Sequence, residues 1–294
     1  MSKPSVYGWC DRPDHHPTAD PREIPMHAHI TRATLPLAMA LSLFALPAAA
    51  QEPSNWAERC RSWNRDDNRE SVCEERETRL GARESLTVDG RQNGGVSVKA
   101  WDGSDVLVRA QIQATAPTRE EAGRIARNVR VSTSGGTIHA SGPETTGRRG
   151  WAVSYEIFVP RRMDLNIETH NGPISVAGVS GEMELEALNG PMSLHDVGGD
   201  VRARTTNGPL NVQLAGSRWS GDGLDAQTVN GPVNLIVPDG YSAELETGTA
   251  NGPVRIDIPG TARGRTSHLR ARLGGGGAPV RVMTTNGPLT VRSR

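Results

Sequence analysis

The second half of the chain alternates apolar and polar residues on both sides of a recurring tripeptide, Asn-Gly-Pro. The tripeptide occurs six times, at intervals of 18, 18, 23, 21 and 35 residues. Its asparagines are Asn171, Asn189, Asn207, Asn230, Asn251 and Asn286. Alternation with a period of two is typical of strands that bury one face. Each unit is therefore predicted to be a strand, an Asn-Gly-Pro corner and a second strand.

The two kinds of corner complete the predicted unit. Asn-Gly-Pro is expected to turn the chain with a positive φ at Asn or Gly and the fixed φ of Pro. A Gly-rich corner follows in the early repeats, at 178–181 and 196–199. Repetition at roughly 20 residues is typical of a solenoid, in which each coil buries its apolar face against its neighbours.

An antiparallel meander is the alternative, because Asn-Gly is also a strong hairpin signal. A meander does not explain why Thr or Ala recurs two residues before each Asn. In a stack, the Asn side chains are predicted to face inward and to form a hydrogen-bonded ladder that satisfies buried corner groups. The pattern favours an all-β, single-chain β-solenoid with coils of about 18–23 residues.

Two stretches precede the regular repeats. Residues 86–110 alternate as strands around Asn93-Gly94-Gly95, which resembles a degenerate first coil. Residues 118–130 instead have apolar residues at helical spacing, after a capping box formed by Thr118 and Glu121. We predict one short amphipathic helix near the N-terminal end, packed on the side or end of the stack, because solenoids need capped ends.

The first 50 residues are predicted not to belong to the solenoid. The apolar run 35–46 is followed by small residues, which is typical of a signal peptide, and it is too short to span a bilayer. Met26 is the predicted start of that peptide. The predicted divisions are 1–25, a disordered upstream extension; 26–50, the signal peptide; 51–84, a Cys-containing segment; and 85–294, the solenoid domain.

Charge balance excludes some functions, and the cysteine content predicts one disulfide bond. The 33 basic and 33 acidic residues balance, so neither a nucleic-acid footprint nor a polybasic membrane patch is indicated. Cys60 and Cys73 are the two cysteines that follow the signal peptide, and in an oxidising compartment they are predicted to form a disulfide. A zinc site would need nearby ligands, and this segment has no His. We predict no metal, no cofactor and no transmembrane segment in the mature chain.

The block 86–294 resembles a bacterial putative-adhesin family of unknown function, related to the head-GIN adhesin-like solenoids. The resemblance rests on Val-Ser-Val-Lys-Ala-Trp-Asp at 96–102, Tyr-Glu-Ile-Phe-Val-Pro at 155–160 and the Thr-x-Asn-Gly-Pro units. It implies a right-handed β-helix-like fold and a cell-envelope location. It implies no catalytic residues.

One pair of carboxylates gives an enzymatic alternative. Glu168 and Glu186 lie three residues before successive corner asparagines, so in a stack they would be one strand spacing apart. Two carboxylates about 5 Å apart are used by retaining glycosidases. Because Arg204 follows in the next coil, a solvated ladder of weak charge pairs explains the same pattern.

Three functional hypotheses follow. The first is an exported, periplasmic or extracellular, non-enzymatic protein that binds an envelope protein or glycan, with the insertions 217–223 and 260–278 as places where binding residues often lie. The second is a carbohydrate-active enzyme using Glu168 and Glu186. The third is self-association through an uncapped C-terminal edge strand at 289–291, with Arg292 and Arg294 as its charge protection. Adhesion, sensing and scaffolding are all compatible with the sequence.

Overall fold

The computed structural model describes Trp56, Cys60, residues 69–259 and residues 267–294. The predicted extension 1–25 and signal peptide 26–50 lie outside the described residues, as does most of the chain before residue 69. The division into four segments therefore stays a prediction. In the part that is described, no helix is both long and apolar enough to cross a bilayer.

From residue 69 onward, the described residues form twenty strands, one α-helix and a short 3-10 turn, joined by loops. The strands are β1 Glu70–Leu80, β2 Ser85–Asp89, β3 Val96–Trp101, β4 Val106–Ala116, β5 Arg130–Ser132, β6 Thr137–Ser141, β7 Gly150–Pro160, β8 Asp164–Asn171, β9 Ile174–Ala177, β10 Ser180–Asn189, β11 Met192–His195, β12 Gly198–Asn207, β13 Leu210–Gln213, β14 Gly223–Asn230, β15 Val233–Val237, β16 Ala243–Asn251, β17 Val254–Asp257, β18 His268–Leu273, β19 Pro279–Asn286 and β20 Leu289–Ser293. The helix α1 is Arg119–Asn128, and the 3-10 turn is Ser134–Gly136.

The strands form two ten-stranded sheets. Sheet A has the order β1-β4-β7-β3-β9-β11-β13-β15-β20-β17, and sheet B has the order β18-β16-β19-β14-β12-β10-β8-β2-β6-β5. Each Asn-Gly-Pro corner joins a strand of sheet B to a strand of sheet A, and successive coils pair in parallel. The predicted all-β solenoid is confirmed, because a meander would pair its neighbours antiparallel.

The core lies between the sheets and is built from ladders of equivalent residues. One ladder in sheet B is Leu165, Met183, Val201, Leu224, Val280 and Leu245, and one in sheet A is Ile174, Met192, Leu210, Val233 and Leu289. All of these side chains are buried. Since each buried side chain of this size contributes about 1.5–3 kcal/mol, the ladders are the main source of cohesion between coils.

Close stacking, rather than backbone conformation, requires the corner glycines. A Cβ added at Gly208 would overlap the carbonyl oxygen of Gly190 in the preceding coil. The predicted positive φ at Asn or Gly of Asn-Gly-Pro is wrong, because none of those described residues has one. Positive φ occurs instead at the other corner, for example 72° at Gly178 and 52° at Asp196.

The Asn side chains form one column along the edge of the stack. Each amide nitrogen donates to the amide oxygen of the Asn in an adjacent coil, at 2.8–3.3 Å, in the order Asn251, Asn286, Asn230, Asn207, Asn189, Asn171 and Asn93. The inward orientation predicted for them is wrong, since these side chains are exposed. Each Asn is the last residue of its strand and the bend lies at the following Gly, so the Asn side chain stands at the outer edge of the corner.

Buried threonines satisfy the corner carbonyls that the asparagines were predicted to satisfy. Thr205 Oγ1 donates to Gly190 O at 2.9 Å, and Thr228 Oγ1 donates to Gly208 O at 2.8 Å. Thr205 is only 2% exposed. The Thr two residues before the Asn is therefore the inward, structural member of the motif.

The last repeat is not the last layer. Strands β19 and β20 insert between the coil β14–β15 and the coil β16–β17. The predicted self-association through a C-terminal edge strand is therefore wrong, because β20 has a partner on both sides. Arg292 lies opposite Ile236 and Asp257 in these pairings, so its predicted role at an open edge is also wrong.

The N-terminal end is closed by a cap, defined here as β1–β7 with α1. The predicted helix is confirmed, with Thr118 Oγ1 accepting from the amide of Glu121 at 3.3 Å. The helix packs on β1 and β4. Arg76 of β1 donates to Val129 O at 2.6 Å and Ala126 O at 2.9 Å, which satisfies carbonyls at the helix C-terminus.

Two further features complete the fold. Cys60 and Cys73 form a disulfide with their Cα atoms 6.3 Å apart, which joins the segment before residue 69 to β1. At the other end, the insertion 260–278 contains β18, which pairs antiparallel with β16. Strand β18 was not predicted, although the alternation of polar and apolar residues at 268–273 indicates a strand.

Candidate functional site

A cleft of about 440 Å³ opens within the cap, between the β2–β3 corner and the strands β6 and β7. Its walls come from three segments: the β2–β3 corner at 90–93, the end of β6 and the following loop at 140–145, and the start of β7 at 151–153. Gly94 packs so tightly on β7 that an added Cβ would overlap Val153 O, and Gly95 N donates to Ser154 Oγ at 3.2 Å. These contacts hold the walls in a fixed relation.

Trp151 supplies an immobilised aromatic wall. Its side chain is half-buried, and Nε1 donates to Pro143 O at 2.9 Å. The backbone of Gly142 packs directly on the indole, because a Cβ there would lie 2.6 Å from a ring carbon. A fixed aromatic surface loses little conformational entropy when a ligand binds.

Arg91 occupies a rare backbone conformation at the rim of the cleft. Its φ is 53°, a left-handed value that is uncommon outside glycine. Asp89 holds it there, accepting from Arg91 N at 2.8 Å and pairing with Nε at 3.2 Å, while His170 N donates to Arg91 O at 3.1 Å. Backbone outliers that persist by such over-determination cluster at binding and catalytic sites. The pair also neutralises the charge of the guanidinium.

Neutral hydrogen-bonding groups surround these two residues. Gln92 and Ser141 are exposed, and Thr145 is half-exposed. Asn93 accepts the terminal bond of the Asn ladder through Oδ1, so its amide nitrogen is oriented and can donate to a ligand. The cleft therefore combines an aromatic wall with neutral donors and acceptors.

Tyr155 lies on the same face of β7 as the cleft residue Val153, two residues further along. Its hydroxyl is buried and has no hydrogen-bond partner among the described residues. Burial raises the pKa of Tyr155 far above its usual range, the negative charge of Asp89 raises it further, and Arg91 opposes the shift. The hydroxyl therefore stays protonated beside the cleft.

The predicted catalytic pair lies elsewhere. Glu168 and Glu186 are direct partners in the β8–β10 register, with Arg204 next in line on β12. Both carboxylates are exposed on the outer face of sheet B, away from the residues that line the cleft. Within the described residues, no group of three or more His, Cys, Asp or Glu side chains could hold a metal ion.

A second groove crosses the outer face of sheet A. Its volume is about 510 Å³, and its polar floor includes Ser193, Asn211, Asn234 and Gln213. Asn234 Nδ2 donates to Asn211 Oδ1 at 2.9 Å. The groove has no Trp, Tyr or Phe in its lining, so it offers a ligand less apolar contact than the cleft.

Sequence reasoning expected binding residues in the insertions instead of at the cleft. In the insertion 217–223, Trp219 is buried and its Nε1 donates to Gly199 O at 3.0 Å, which makes this residue an anchor. Residues 260–266 of the other insertion lie outside the described part of the chain. A signal for the cleft was available, because the corner at Asn93 has Gly where the regular corners have Pro.

Comparison with known proteins gives distant structural similarity and one family. A putative cell adhesion protein from Clostridium sporogenes ATCC 15579 has 9% identity and a TM-score of 0.36, with 76% of this chain and 100% of that chain covered. A putative adhesin from Bacteroides fragilis NCTC 9343 has 11% identity and a TM-score of 0.30, with coverage of 75% and 97%. A putative lipid binding protein from Parabacteroides distasonis ATCC 8503 has 12% identity and a TM-score of 0.28, also with 75% and 97%.

These identities and scores are too low to carry a functional argument. No curated protein matches the chain in sequence. The profile of one family, Toastrack DUF4097, matches residues 79–292, and the match confirms the family resemblance inferred from the motifs. With most of its length matched, the chain belongs to the Toastrack DUF4097 family.

Proposed function

We propose that this protein is an exported, non-enzymatic binding protein whose cleft holds one or two residues of a neutral glycan. The observation that carries the proposal is the fixed indole of Trp151 beside the uncharged side chains of Gln92, Asn93 and Ser141. Sugars present an apolar face of C–H groups and an edge of hydroxyls. An aromatic wall packs against the first, and amide and hydroxyl groups hydrogen-bond the second.

Charge favours a neutral ligand. The cleft has one cation in its lining, Arg91, and Asp89 already pairs with it at 3.2 Å. A phosphate or sulfate would have to compete with that carboxylate. A volume of about 440 Å³ lies in the range of small-molecule sites, so the cleft fits a short glycan segment better than a folded protein partner.

Export is supported by the predicted signal peptide at 26–50 and by the disulfide between Cys60 and Cys73, because disulfides persist in oxidising compartments. The enzymatic alternative, with Glu168 and Glu186, has less support. Glycosidase carboxylates flank a bound sugar, whereas this pair lies on an open face where water screens both charges.

Calorimetric titration and a glycan array on residues 51–294 test the proposal. We expect binding to neutral oligosaccharides, with affinity lowered at least about tenfold by Trp151→Ala or Gln92→Ala, the loss for one or two well-placed contacts. Gln213→Ala is the matched control, because it truncates a glutamine in the sheet A groove.

Two results would contradict the proposal. Retained affinity in both cleft variants with loss in Gln213→Ala would move the site to the sheet A groove. Sugar hydrolysis that is abolished by Glu168→Gln with Glu186→Gln would establish the enzymatic alternative. Trp151→Ala removes packing from the core, so the exposed Gln92→Ala gives the decisive result if the Trp variant unfolds.

A further inference from the structure

The outer face of sheet B carries a row of charges that alternate in sign from strand to strand. Register pairs place six residues side by side, in the order Glu184, Arg202, Asp225, Arg281, Glu246 and Arg270. All six are exposed or half-buried. At a strand spacing of about 4.8 Å the row extends about 24 Å.

When a row with an even number of alternating charges faces a copy of itself in the reverse order, every charge faces one of opposite sign. We infer that a second copy of this chain docks on this face, about a two-fold axis that runs parallel to the strands between β14 and β19. Such an axis reverses the order of the row. Glu184 then faces Arg270 of the second copy, Arg202 faces Glu246, and Asp225 faces Arg281.

The flanking rows fit the same axis. Two residues to one side, Glu182 faces Arg272; two residues to the other side, Glu186 faces His268. One facing pair, Asp200 with Glu244, has like charges. Each of those two has an arginine in its own chain, at 3.2 Å for Asp200 and 3.8 Å for Glu244.

The middle of the face permits close approach. The charged pair Asp225 and Arg281 lies at the axis itself. The residues two positions to either side of it on β14 and β19 are uncharged: Gly223, Gln227, Pro279 and Met283. A groove of about 340 Å³ beside them is lined by Glu246, Arg270 and Arg281. Under the same symmetry, Arg202 of the second copy extends toward this groove, opposite Glu246.

Ion pairs within the chain leave these charged groups with donors and acceptors for further partners. Arg281 lies 2.9 Å from Asp225 and Arg270 lies 3.1 Å from Glu246. A carboxylate has about four acceptor positions and a guanidinium has five donors, so each group can bind a lateral and a facing partner. Such pairs determine register more than affinity, and we expect a weak dimer that dissociates as salt rises.

Charge reversal with rescue tests the inference on residues 51–294 by sedimentation velocity at low salt. Glu184→Arg or Arg270→Glu alone is expected to raise the dimer Kd about tenfold or more. The double variant is expected to restore it to within about threefold of the original value. Rescue cannot occur within one chain, since the two positions lie about 24 Å apart along the row.

Arg255→Glu, on the outer face of sheet A, is the control and should leave the Kd unchanged. A wild-type chain that stays monomeric at low salt overturns the inference. So does a dimer that is insensitive to the single reversals, because its interface then lies elsewhere. If both single variants weaken the dimer and the double variant does not recover it, the two-fold register is wrong. Circular dichroism confirms folding of each variant.

Discussion

The regular stack, β8–β20, and the cap, β1–β7 with α1, use the same inward alternation, but they differ in how much each position is constrained. In the stack, strand residues lie beside their own equivalents in the neighbouring coils. Glycines, threonines and asparagines therefore recur at fixed phases, and little chemical variety is left at the corners. The cap has no such repetition. There Gly95 stands where the regular corners have Pro, Arg91 has a left-handed backbone conformation, and a cleft opens beside the fixed indole of Trp151. The repetitive stack therefore determines the fold, and the candidate site lies in the cap, where the repetition is lost.

The largest expected effect comes from breaking the stack at a corner. Gly208→Ala places a Cβ against the carbonyl oxygen of Gly190, and neither backbone can move without separating the coils. We expect a loss of roughly 3 kcal/mol or more in the free energy of unfolding, measured by urea denaturation. Gly81→Ala, in the cap, is the control, because a Cβ there meets nothing within 4 Å. Equal losses in both variants would remove the distinction between the two regions.

Next is the contrast between inward and outward members of the repeat. Thr205→Val keeps the shape and removes the bond to Gly190 O, so the free energy of unfolding should fall by about 1–3 kcal/mol. Asn207→Ala removes exposed amide bonds and should cost less than about 1 kcal/mol. Thr205→Ser keeps the hydroxyl and separates hydrogen bonding from the loss of a methyl group. A larger cost at Asn207 than at Thr205 would contradict the assignment of roles.

An alkaline pH effect is expected from one buried tyrosine in each region. Burial, and then the charge of Asp196, raises the pKa of Tyr241 in the stack from 10.0 to about 12. Because the pKa of Tyr241 is higher in the folded state, its protonated hydroxyl contributes fully to the free energy of unfolding below the unfolded-state pKa of 10.0. That contribution is lost as pH rises from 10.0 toward 12. Tyr155 in the cap acts in the same direction. Tyr241→Phe and Tyr155→Phe should each flatten the alkaline fall in Tm, and an unchanged profile in the double variant would contradict this.

The smallest effect concerns left-handed residues. Asp196→Gly, in the stack, reproduces the Gly178 of the preceding coil and should raise stability by up to about 1 kcal/mol. Arg91→Gly, in the cap, should be similarly neutral or stabilising while it lowers glycan affinity. Thermal melts and calorimetric titration of both variants measure the two outcomes. Loss of stability in Arg91→Gly would show that the arginine supports the fold instead of the site.

The repeats explain why the fold could be predicted from sequence. Alternation on both sides of Asn-Gly-Pro, with Thr or Ala at one phase, specified two stacked sheets. The capping box at Thr118 and Glu121 specified α1. The orientation of the asparagines was missed because period-two counting continues through a corner, whereas the backbone there bends and turns Asn207 outward while Thr205 stays inside.

The order in which the coils stack was harder to predict from the sequence. Local pattern does not distinguish a coil added at the end from one inserted in the middle, since both present the same strands. The position of β19 and β20 was missed for that reason. The cleft was missed because Arg91 and Trp151 are 60 residues apart in sequence and meet only through the pairing of β3 with β7.

The inserted coil β19–β20 also affects how the stack assembles during synthesis. The coil of Asn251 leaves the ribosome before the coil of Asn286 that must separate it from the coil of Asn230. A nascent chain therefore holds a vacant slot, or a temporary and incorrect neighbour, until its last strands emerge. A premature stop before β19 would remove an interior layer and leave the coils β14–β15 and β16–β17 without their shared partner.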